Sequence, residues 1–473
     1  MNPVTQQSAV ELLALLRESQ ISALELAHEY IGQIERLNPR LNALVDFDAD
    51  RVRQQARAAE RSNAPRGPLF GLPVTVKASI SAAGHRCEIG SVINRGNVPA
   101  EDATVVSRLR NAGATILGTT NTPEFLMAYE TDNLLYGRTN NPWNLDYTPG
   151  GSSGGESAAI AAGLSAGGFG SDSGGSVRVP AHFTGICSLK PTPGRFPGIG
   201  HLPACVGPFS ILGAIGPMAR TIDDVALLFQ VLSAQDPVDP ISPPIPYRGI
   251  SDNDVKRMRV GYFEDDGLTP VTPETRQAVQ DAVRSLQKQG FDVRPFRPKG
   301  LDQARKLWWI FFVRCGAMFV DSLVRGHESE LSPVLRGFLE IAHAEPPLTA
   351  DELLNAWAEC DVIRGKLLQQ MQEFPVLLCP VCSIPAFRHG ERQWKVEGQE
   401  VQYLDVMRYT QWFNLLAAPA AVVPVGRSPE GLPIGVQIVA RPFEDEVALA
   451  VGSTIDREFG FVAPPIAFDR AAH

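Results

Sequence analysis

The chain has 473 residues, of which 44% are hydrophobic and 20% are charged. This composition is typical of a globular protein and argues against disorder over most of the chain. The 43 Lys and Arg residues are outnumbered by 52 Asp and Glu residues, which gives a formal net charge of −9. That balance argues against a nucleic-acid-binding protein, because such a protein needs an excess of cations facing phosphate.

Neither a targeting segment nor a membrane span is predicted. The first twenty residues are polar and lack the basic start and apolar stretch of a signal peptide. The longest apolar segments, 158–170 and 307–313, are shorter than the roughly 18 residues that a transmembrane helix requires. The seven cysteines are widely spaced and odd in number, which favours free thiols and a cytoplasmic location.

The N-terminal part is predicted to form packing helices followed by a buried strand. Ser-x-x-Glu capping boxes mark helix starts at Ser8 and Ser22. Residues 70–80, FGLPVTVKASI, form a short apolar run rich in β-branched residues, which predicts the strand. Lys77 lies inside this run, where it is either a strand-end lysine whose amine reaches solvent or a functional group.

Residues 150–180 are unusually rich in Gly and Ser. A flexible linker has a similar composition. The small apolar residues 158–164 instead predict a tightly packed helix, which a linker would not contain. The Gly-rich turns on either side of this helix are predicted to aim backbone amides at a ligand.

The second half of the chain alternates strands and helices. Residues 236–248 contain five prolines and predict an extended connection. A strand at 259–263, a helix from Thr272 to Gly290 and a return strand at 291–296 follow it. This alternation indicates an α/β architecture.

Two apolar segments follow. Residues 306–320 form the most apolar helical segment, which suits a core helix, a homodimer interface or the wall of an apolar substrate site. Residues 375–385 predict a buried strand. The pair Cys379-x-x-Cys382 in that strand has no second pair at zinc spacing, so we predict a structural role for it.

Ser176 is the main candidate for chemistry. The chain has no GxxxxGK[ST] phosphate loop and no HExxH zinc motif, and neither a metal nor a cofactor is predicted. A serine hydroxyl is a poor nucleophile until a neighbouring base takes its proton. Lys77 could be that base if burial keeps its amine neutral, with Ser152 or Ser153 relaying the proton. Consecutive backbone amides could stabilise an oxyanion, namely those of Ser173, Gly174, Gly175 and Ser176.

Residues 150–181 resemble the sequence signature of the amidase signature family. The similar elements are GGSSGG, a small-residue helix, and the pattern D-x-G-G-S, a hydrophobic residue, then R-x-P-A. Other segments are similar to further family elements: GLPVTVK at 71–77, NNPWN at 140–144, SLKPT at 188–192 and LPIGVQ at 432–437. The resemblance therefore spans nearly the whole chain.

The resemblance implies a catalytic triad. Ser176 would be the nucleophile, Ser152 a bridging serine on a cis peptide, and Lys77 the base. Three further residues would support the site without taking part in the chemistry: Ser153, Asp172 and Arg178. One position departs from the family pattern, since Ala78 follows the lysine where Asp is common. The missing carboxylate would remove an interaction that favours the charged form of the lysine.

The implied fold is a single α/β domain with a mixed, mainly parallel sheet between helices. We divide the domain into N-terminal helices at 1–70, a catalytic core at 71–235, a proline-rich connection at 236–258 and a second α/β half at 259–473. A homodimer is one possible assembly.

The segment FLMAYETDN at 125–133 is bulkier than its counterpart in glutamine-using members of the family. It is similar to the fatty-acid-amide hydrolase and arylacylamidase branches. This predicts hydrolysis of apolar or aromatic small-molecule amides, with anilides, esters and carbamates as further candidates. The pocket candidates are Met127, Tyr129, Trp308 and Phe312. Two alternatives remain open: the glutaminase subunit of a tRNA amidotransferase, and a catalytically silent scaffold protein.

Overall fold

The computed structural model describes residues 3–62 and 65–468. Within them, one large sheet contains eleven strands and a separate hairpin contains two. The strands of the large sheet are β1 Leu44–Phe47, β2 Pro73–Lys77, β3 Thr115–Thr120, β4 Gly167–Asp172, β5 Cys187–Lys190, β6 Ala214–Ala219, β7 Val260–Tyr262, β8 Val293–Pro295, β9 Val376–Pro380, β12 Ala420–Arg427 and β13 Pro433–Ala440. The hairpin is formed by β10 Gln393–Val396 and β11 Gln399–Gln402.

Helices surround the sheet. Those before the proline-rich connection are α1 Ala9–Arg17, α2 Ala23–Leu41, α3 Ala49–Arg61, α4 Thr104–Asn111, α5 Gly154–Ala161, α6 Arg178–Thr184, α7 Phe209–Leu212 and α8 Ile222–Leu232. Those after it are α9 Asp252–Lys256, α10 Pro273–Lys288, α11 Leu301–Trp308, α12 Cys315–Val324, α13 Pro333–His343, α14 Ala350–Gln370, α15 Tyr403–Val406, α16 Arg408–Leu415 and α17 Asp445–Phe459.

The large sheet is mixed. Its strand order is β1-β3-β2-β4-β6-β5-β12-β13-β9-β7-β8. Parallel pairing joins β3, β2 and β4 on one side and β9, β7 and β8 on the other. The remaining pairings of described strands are antiparallel. The mixed α/β domain is confirmed, with the correction that parallel pairing predominates only within these two blocks. A short connection such as 428–432, between β12 and β13, forces its two strands to run antiparallel.

Both faces of the sheet are covered, as expected for a sheet between helices. Along β9, Val376 and Leu378 pack into one apolar core, which also contains residues of α10 and α17. The alternate residues Leu377 and Cys379 pack into a second core with residues of α11, α14 and α16. Because successive strand residues point to opposite faces, this division places helices on both sides of the sheet.

Several local predictions are confirmed. The capping boxes at Ser8 and Ser22 form, each with reciprocal side-chain and backbone hydrogen bonds. Thr272 precedes α10 with Pro273 at its first position, although the Thr272 side chain does not cap the helix backbone. Gly290 follows this helix with a φ of +89°, a conformation that favours glycine. Cys379 and Cys382 are free and buried, without a disulfide.

The helical run Leu301–Val324 is longer than the sequence predicted. It joins α11, a π-helical turn at Trp309–Arg314 and α12 without a break. Its most apolar window has a mean hydropathy of 1.6, so by length and composition the run could cross a membrane. This corrects the expectation that no segment is long enough. Half of that window is buried inside the protein, which is also a property of core helices.

Candidate active site

Lys77 ends β2 in the interior of the protein, and its side chain does not reach solvent. Its Nζ lies 2.7 Å from Ser152 Oγ and 3.1 Å from Ser171 Oγ. Burial lowers the pKa of Lys77 to about 7, although the carboxylates of Asp172 and Glu156 act to raise it. A substantial fraction of the amine is therefore neutral near pH 7 and able to accept a proton.

Ser152 and Ser176 lie on two Gly-rich turns that meet at the end of Lys77. The Gly151–Ser152 peptide is cis, as the resemblance implied. The two turns are joined by a hydrogen bond from the Ser153 backbone N–H to the Ser176 carbonyl, with N and O 3.1 Å apart. The side chains of Ser152, Ser171 and Ser176 line one cavity.

The predicted relay runs from Ser176 through Ser152 to Lys77, and only its hydrogen bond between Ser152 and Lys77 is formed among the described residues. Among the described residues, Ser176 Oγ has no hydrogen-bond partner, whereas Ser152 Oγ is bonded to Lys77. Catalytic hydrogen bonds often close only when substrate is bound. Ser171 contacts Lys77 directly, and the sequence patterns did not single it out. Its signal was its place inside the signature, one residue before Asp172.

Asp172 holds the turn that carries Ser176. Its carboxylate accepts hydrogen bonds from the backbone N–H groups of Gly175, at 2.8 Å, and Val177, at 3.1 Å. It also pairs with the fully buried Arg178 guanidinium at 3.0 Å. Burial acts to raise the pKa of Asp172, but Arg178 outweighs this effect and holds the pKa well below its usual range. These contacts brace the turn, and the supporting role of Asp172 and Arg178 in catalysis stays a prediction.

One of the four predicted oxyanion donors is already occupied. The Gly175 N–H points at Asp172, so that prediction needs correction for Gly175. The N–H groups of Ser173, Gly174 and Ser176 have no backbone partner among the described residues. These three amides remain the candidate donors to an oxyanion.

Three side chains hold the carbonyl groups of this turn. Trp308 Nε1 donates to the Ser173 carbonyl at 2.9 Å. Tyr129 Oη and Thr410 Oγ1 both donate to the Gly174 carbonyl, at 2.8 and 2.6 Å. In a trans peptide the N–H points away from the C=O, so fixing the Ser173 carbonyl also fixes the direction of the Gly174 N–H. No sequence pattern pointed to Thr410, which lies more than 230 residues from the turn.

Two cavities meet at Ser176. The first, which we call the serine cavity, has a volume of about 50 Å³. Its walls combine the three serines with His201, Cys205 and apolar side chains that include Phe125, Phe209 and Phe319. The second, which we call the neck, has a volume of about 20 Å³. All four predicted pocket residues line the neck: Met127, Tyr129, Trp308 and Phe312.

The neck leads to a wide opening of about 840 Å³, which we call the vestibule. The two share several lining residues: Met127, Phe338, Tyr403 and Leu404. Trp308 is fully buried and stacks on Phe312, with ring centroids 4.7 Å apart. Segment 306–320 thus contributes to both the core and the cavity wall, and its role in a homodimer interface stays a prediction.

The chain is similar to amidases along almost its whole length. The amidase family model matches residues 25–449. Indoleacetamide hydrolase of Bradyrhizobium diazoefficiens is 32% identical over 472 residues, which cover 98% of this chain and 88% of that relative. A glutamyl-tRNA(Gln) amidotransferase subunit of Roseiflexus castenholzii is 33% identical over 482 residues, covering 97% and 96% of the two chains. Among solved structures, a bacterial aryl acylamidase superposes with a TM-score of 0.85 at 26% identity, covering 96% and 97% of the two chains.

The chain therefore belongs to the amidase signature family, as the sequence resemblance indicated. It is an amide-hydrolysing enzyme. Within the part of the chain that the structure describes, no group of three or more His, Cys, Asp or Glu side chains is placed to hold a metal ion.

Proposed function

We propose that this enzyme hydrolyses amides of apolar or aromatic acids through an acyl-enzyme formed on Ser176. The observation that carries the proposal is the buried Lys77 amine, 2.7 Å from Ser152 Oγ, in a wall that Ser152 shares with Ser176. A base that is partly neutral at pH 7 and faces a serine relay supplies what a serine nucleophile lacks.

The reaction proceeds in two halves. Ser152 takes the proton of Ser176 and passes its own to neutral Lys77, while Ser176 Oγ attacks the amide carbon. The free N–H groups of the turn stabilise the oxyanion that forms. The proton then returns from Lys77 through Ser152 to the leaving nitrogen as the C–N bond breaks. Water, activated by the same relay, attacks the ester carbon and releases the acid and Ser176.

The positions of the cavities support an arrangement of the two sides of the substrate. The leaving nitrogen must lie beside Ser152, which protonates it, and Ser152 lines the serine cavity. That cavity holds only a few water-sized volumes, which suits ammonia or a small amine. The acyl group then extends through the neck, whose walls include Trp308 and Phe312, toward the vestibule of about 840 Å³, which has room for an aromatic or apolar group beside Phe338. The substrate class that fits best is a primary amide, or small-amine amide, of an aromatic or apolar acid.

A substrate panel tests this proposal. It contains indoleacetamide, the anilide of a short acid, an amide of the same aromatic acid with a bulky amine, a nitrophenyl carbamate and glutamine. We expect the wild type to cleave indoleacetamide fastest and the bulky amide slowest. The Ser176→Ala and Lys77→Ala variants should each lose at least about a thousandfold in kcat/KM on every cleaved substrate. Full activity of Ser176→Ala would contradict the nucleophile assignment.

The glutaminase component of a tRNA amidotransferase is the second candidate, because a relative named as part of such an enzyme is 33% identical over nearly the whole chain. Glutamine carries an α-ammonium and an α-carboxylate, which need ionic partners. Four of the five charged side chains that line the vestibule already pair with each other, Arg305 with Asp405 and Arg392 with Glu130, and the fifth is the carboxylate of Glu340. Cleavage of glutamine alone would favour this second candidate. If a fluorophosphonate probe fails to label Ser176 and the whole panel stays intact, the protein is a silent scaffold.

A further inference from the structure

Glu156 is a buried carboxyl close to the active site that the mechanism above does not use. It lies in the first turn of α5, four residues after Ser152, and is fully buried. Its Oε1 accepts a hydrogen bond from Thr75 Oγ1 at 2.5 Å, and its Oε2 accepts one from Thr120 Oγ1 at 2.8 Å. No ion pair to Glu156 forms among residues 3–62 and 65–468.

These two threonines flank Lys77 on the sheet. Thr75 precedes Lys77 by two residues on β2, so both side chains point to the same face. Thr120 is the residue of β3 that pairs with Lys77 in the parallel register. The carboxyl of Glu156 is therefore fixed on the face of the sheet from which the Lys77 side chain extends.

The backbone of β4 leaves room for this carboxyl. A Cβ atom on Gly168 would lie 2.0 Å from Glu156 Oε1 and 2.3 Å from the Thr75 carbonyl oxygen. Any larger residue at position 168 would displace the carboxyl from its two threonines. Residues of three strands thus surround the Glu156 carboxyl: β2, β3 and β4.

Glu156 differs from the other carboxylate that acts on Lys77. Asp172 is paired with Arg178, whereas the partners of Glu156 within the described part of the chain are two neutral hydroxyls. Burial raises the pKa of Glu156 to about 7 and lowers that of Lys77 to about 7, so the two groups titrate together near neutral pH. Two further groups near Lys77 are uncharged at pH 7, because burial raises the pKa of Cys205 to about 11 and lowers that of His201 to about 4.

We propose that Glu156 is a positioning residue that tunes the basicity of Lys77 and stabilises the ammonium that Lys77 becomes during acyl transfer. The carboxylate does not touch substrate and acts only through Lys77. Its negative charge makes Lys77 a stronger base and favours the protonated amine that forms when Ser176 attacks. This inference rests on the proposed function, since it requires Lys77 to be the base.

The test is the pH dependence of Ser176 labelling by a fluorophosphonate. In this reaction Ser176 Oγ forms a bond to phosphorus, fluoride leaves and the relay accepts the serine proton, so no knowledge of the natural substrate is needed. The labelling rate of the wild type should rise with pH as Lys77 loses its proton. In Glu156→Gln, the midpoint of this rise should move down by roughly one pH unit, because the cation loses a neighbouring negative charge. The plateau should fall severalfold, since the neutral amine becomes a weaker base.

Three variants complete the design. Glu156→Asp keeps the charge and should restore the wild-type midpoint. Thr75→Val removes one hydrogen bond that stabilises the carboxylate, so its midpoint should move in the same direction as that of Glu156→Gln, but by less. Asp445→Asn removes the charge of another buried carboxyl, which is bonded to Thr192 and does not act on Lys77, so its midpoint should not move.

The possible failures are distinguishable. Loss of plateau rate without a shifted midpoint in Glu156→Gln would show a structural role and overturn the inference. If Glu156→Gln does not fold, an unmoved midpoint in Thr75→Val would overturn it as well. Wild-type protein whose labelling does not depend on Ser176 would instead refute the proposed function itself.

Discussion

The Trp308→Phe variant tests whether the catalytic turn is held by its carbonyl groups. The indole N–H of Trp308 is the side-chain donor to the Ser173 carbonyl, and phenylalanine keeps an aromatic ring to stack on Phe312. A buried carbonyl left without a donor costs about 1–3 kcal/mol. If losing this hydrogen bond misaligns the Gly174 N–H, the free energy of the transition state rises by the same amount. The value of kcat/KM then falls roughly 5- to 150-fold.

The loss should appear mainly in kcat, because an oxyanion donor acts in the transition state and not on bound substrate. The assay measures kcat and KM on indoleacetamide, together with the free energy of unfolding in urea. Trp143→Phe is a matched control, because the Trp143 indole also donates to a backbone carbonyl, that of Thr184, and Trp143 lines none of the three cavities. That control should change kcat only slightly. If Trp308→Phe lowers the free energy of unfolding while kcat stays at the wild-type value, then the carbonyl contacts stabilise the fold and do not aim the turn.

Further predictions concern the buried charges and the absence of a metal requirement. Asp172→Asn leaves the Arg178 guanidinium buried without its counter-charge, so the free energy of unfolding should fall by about 3–5 kcal/mol in a urea titration. His182 is buried and neutral, and burial lowers its pKa to about 4. The unfolded chain therefore binds more protons as the pH falls below about 6.5, and stability is lost. His182→Asn should reduce the loss of unfolding free energy between pH 7 and pH 5 by about 2 kcal/mol; equal losses in both proteins would refute this assignment. EDTA should leave the hydrolysis rate unchanged, because Lys77 supplies the base, and a loss restored by zinc would contradict that mechanism.

The sequence predicted most of what local patterns and the signature determine. The three residues of the predicted triad could be named because the resemblance gave their positions one by one. They are Lys77, Ser152 and Ser176. Patterns such as the capping box at Ser22 need only a few neighbouring residues, and they form as expected. The buried strand at 70–80 appears as β2, slightly shorter than its apolar run.

Most of the site contacts that the sequence did not predict join residues that lie far apart in the chain. Thr410 reaches the Gly174 carbonyl across 236 residues, and Trp308 reaches the Ser173 carbonyl across 135. Neither contact leaves a local pattern, because tertiary packing alone brings the groups together. The partner of the Gly175 amide was also not predicted. Asp172 is close to it in sequence, but the direction of the Gly175 N–H depends on the folded turn.

The environment of Lys77 reconciles two opposing requirements. The amine must be neutral to accept a proton and must then be stable as an ammonium until the leaving nitrogen takes the proton back. Burial alone would favour the neutral form, and carboxylates alone would favour the charged form. With Ala78 next to the lysine, the carboxylates that act on it are Asp172 and Glu156. Asp172 acts on the lysine more strongly than Glu156, but its charge is paired with Arg178, whereas Glu156 is bonded to the hydroxyls of Thr75 and Thr120. A further carboxylate beside the lysine would raise its pKa and reduce the neutral fraction at pH 7, so the departure from the family pattern at Ala78 is compatible with an active base.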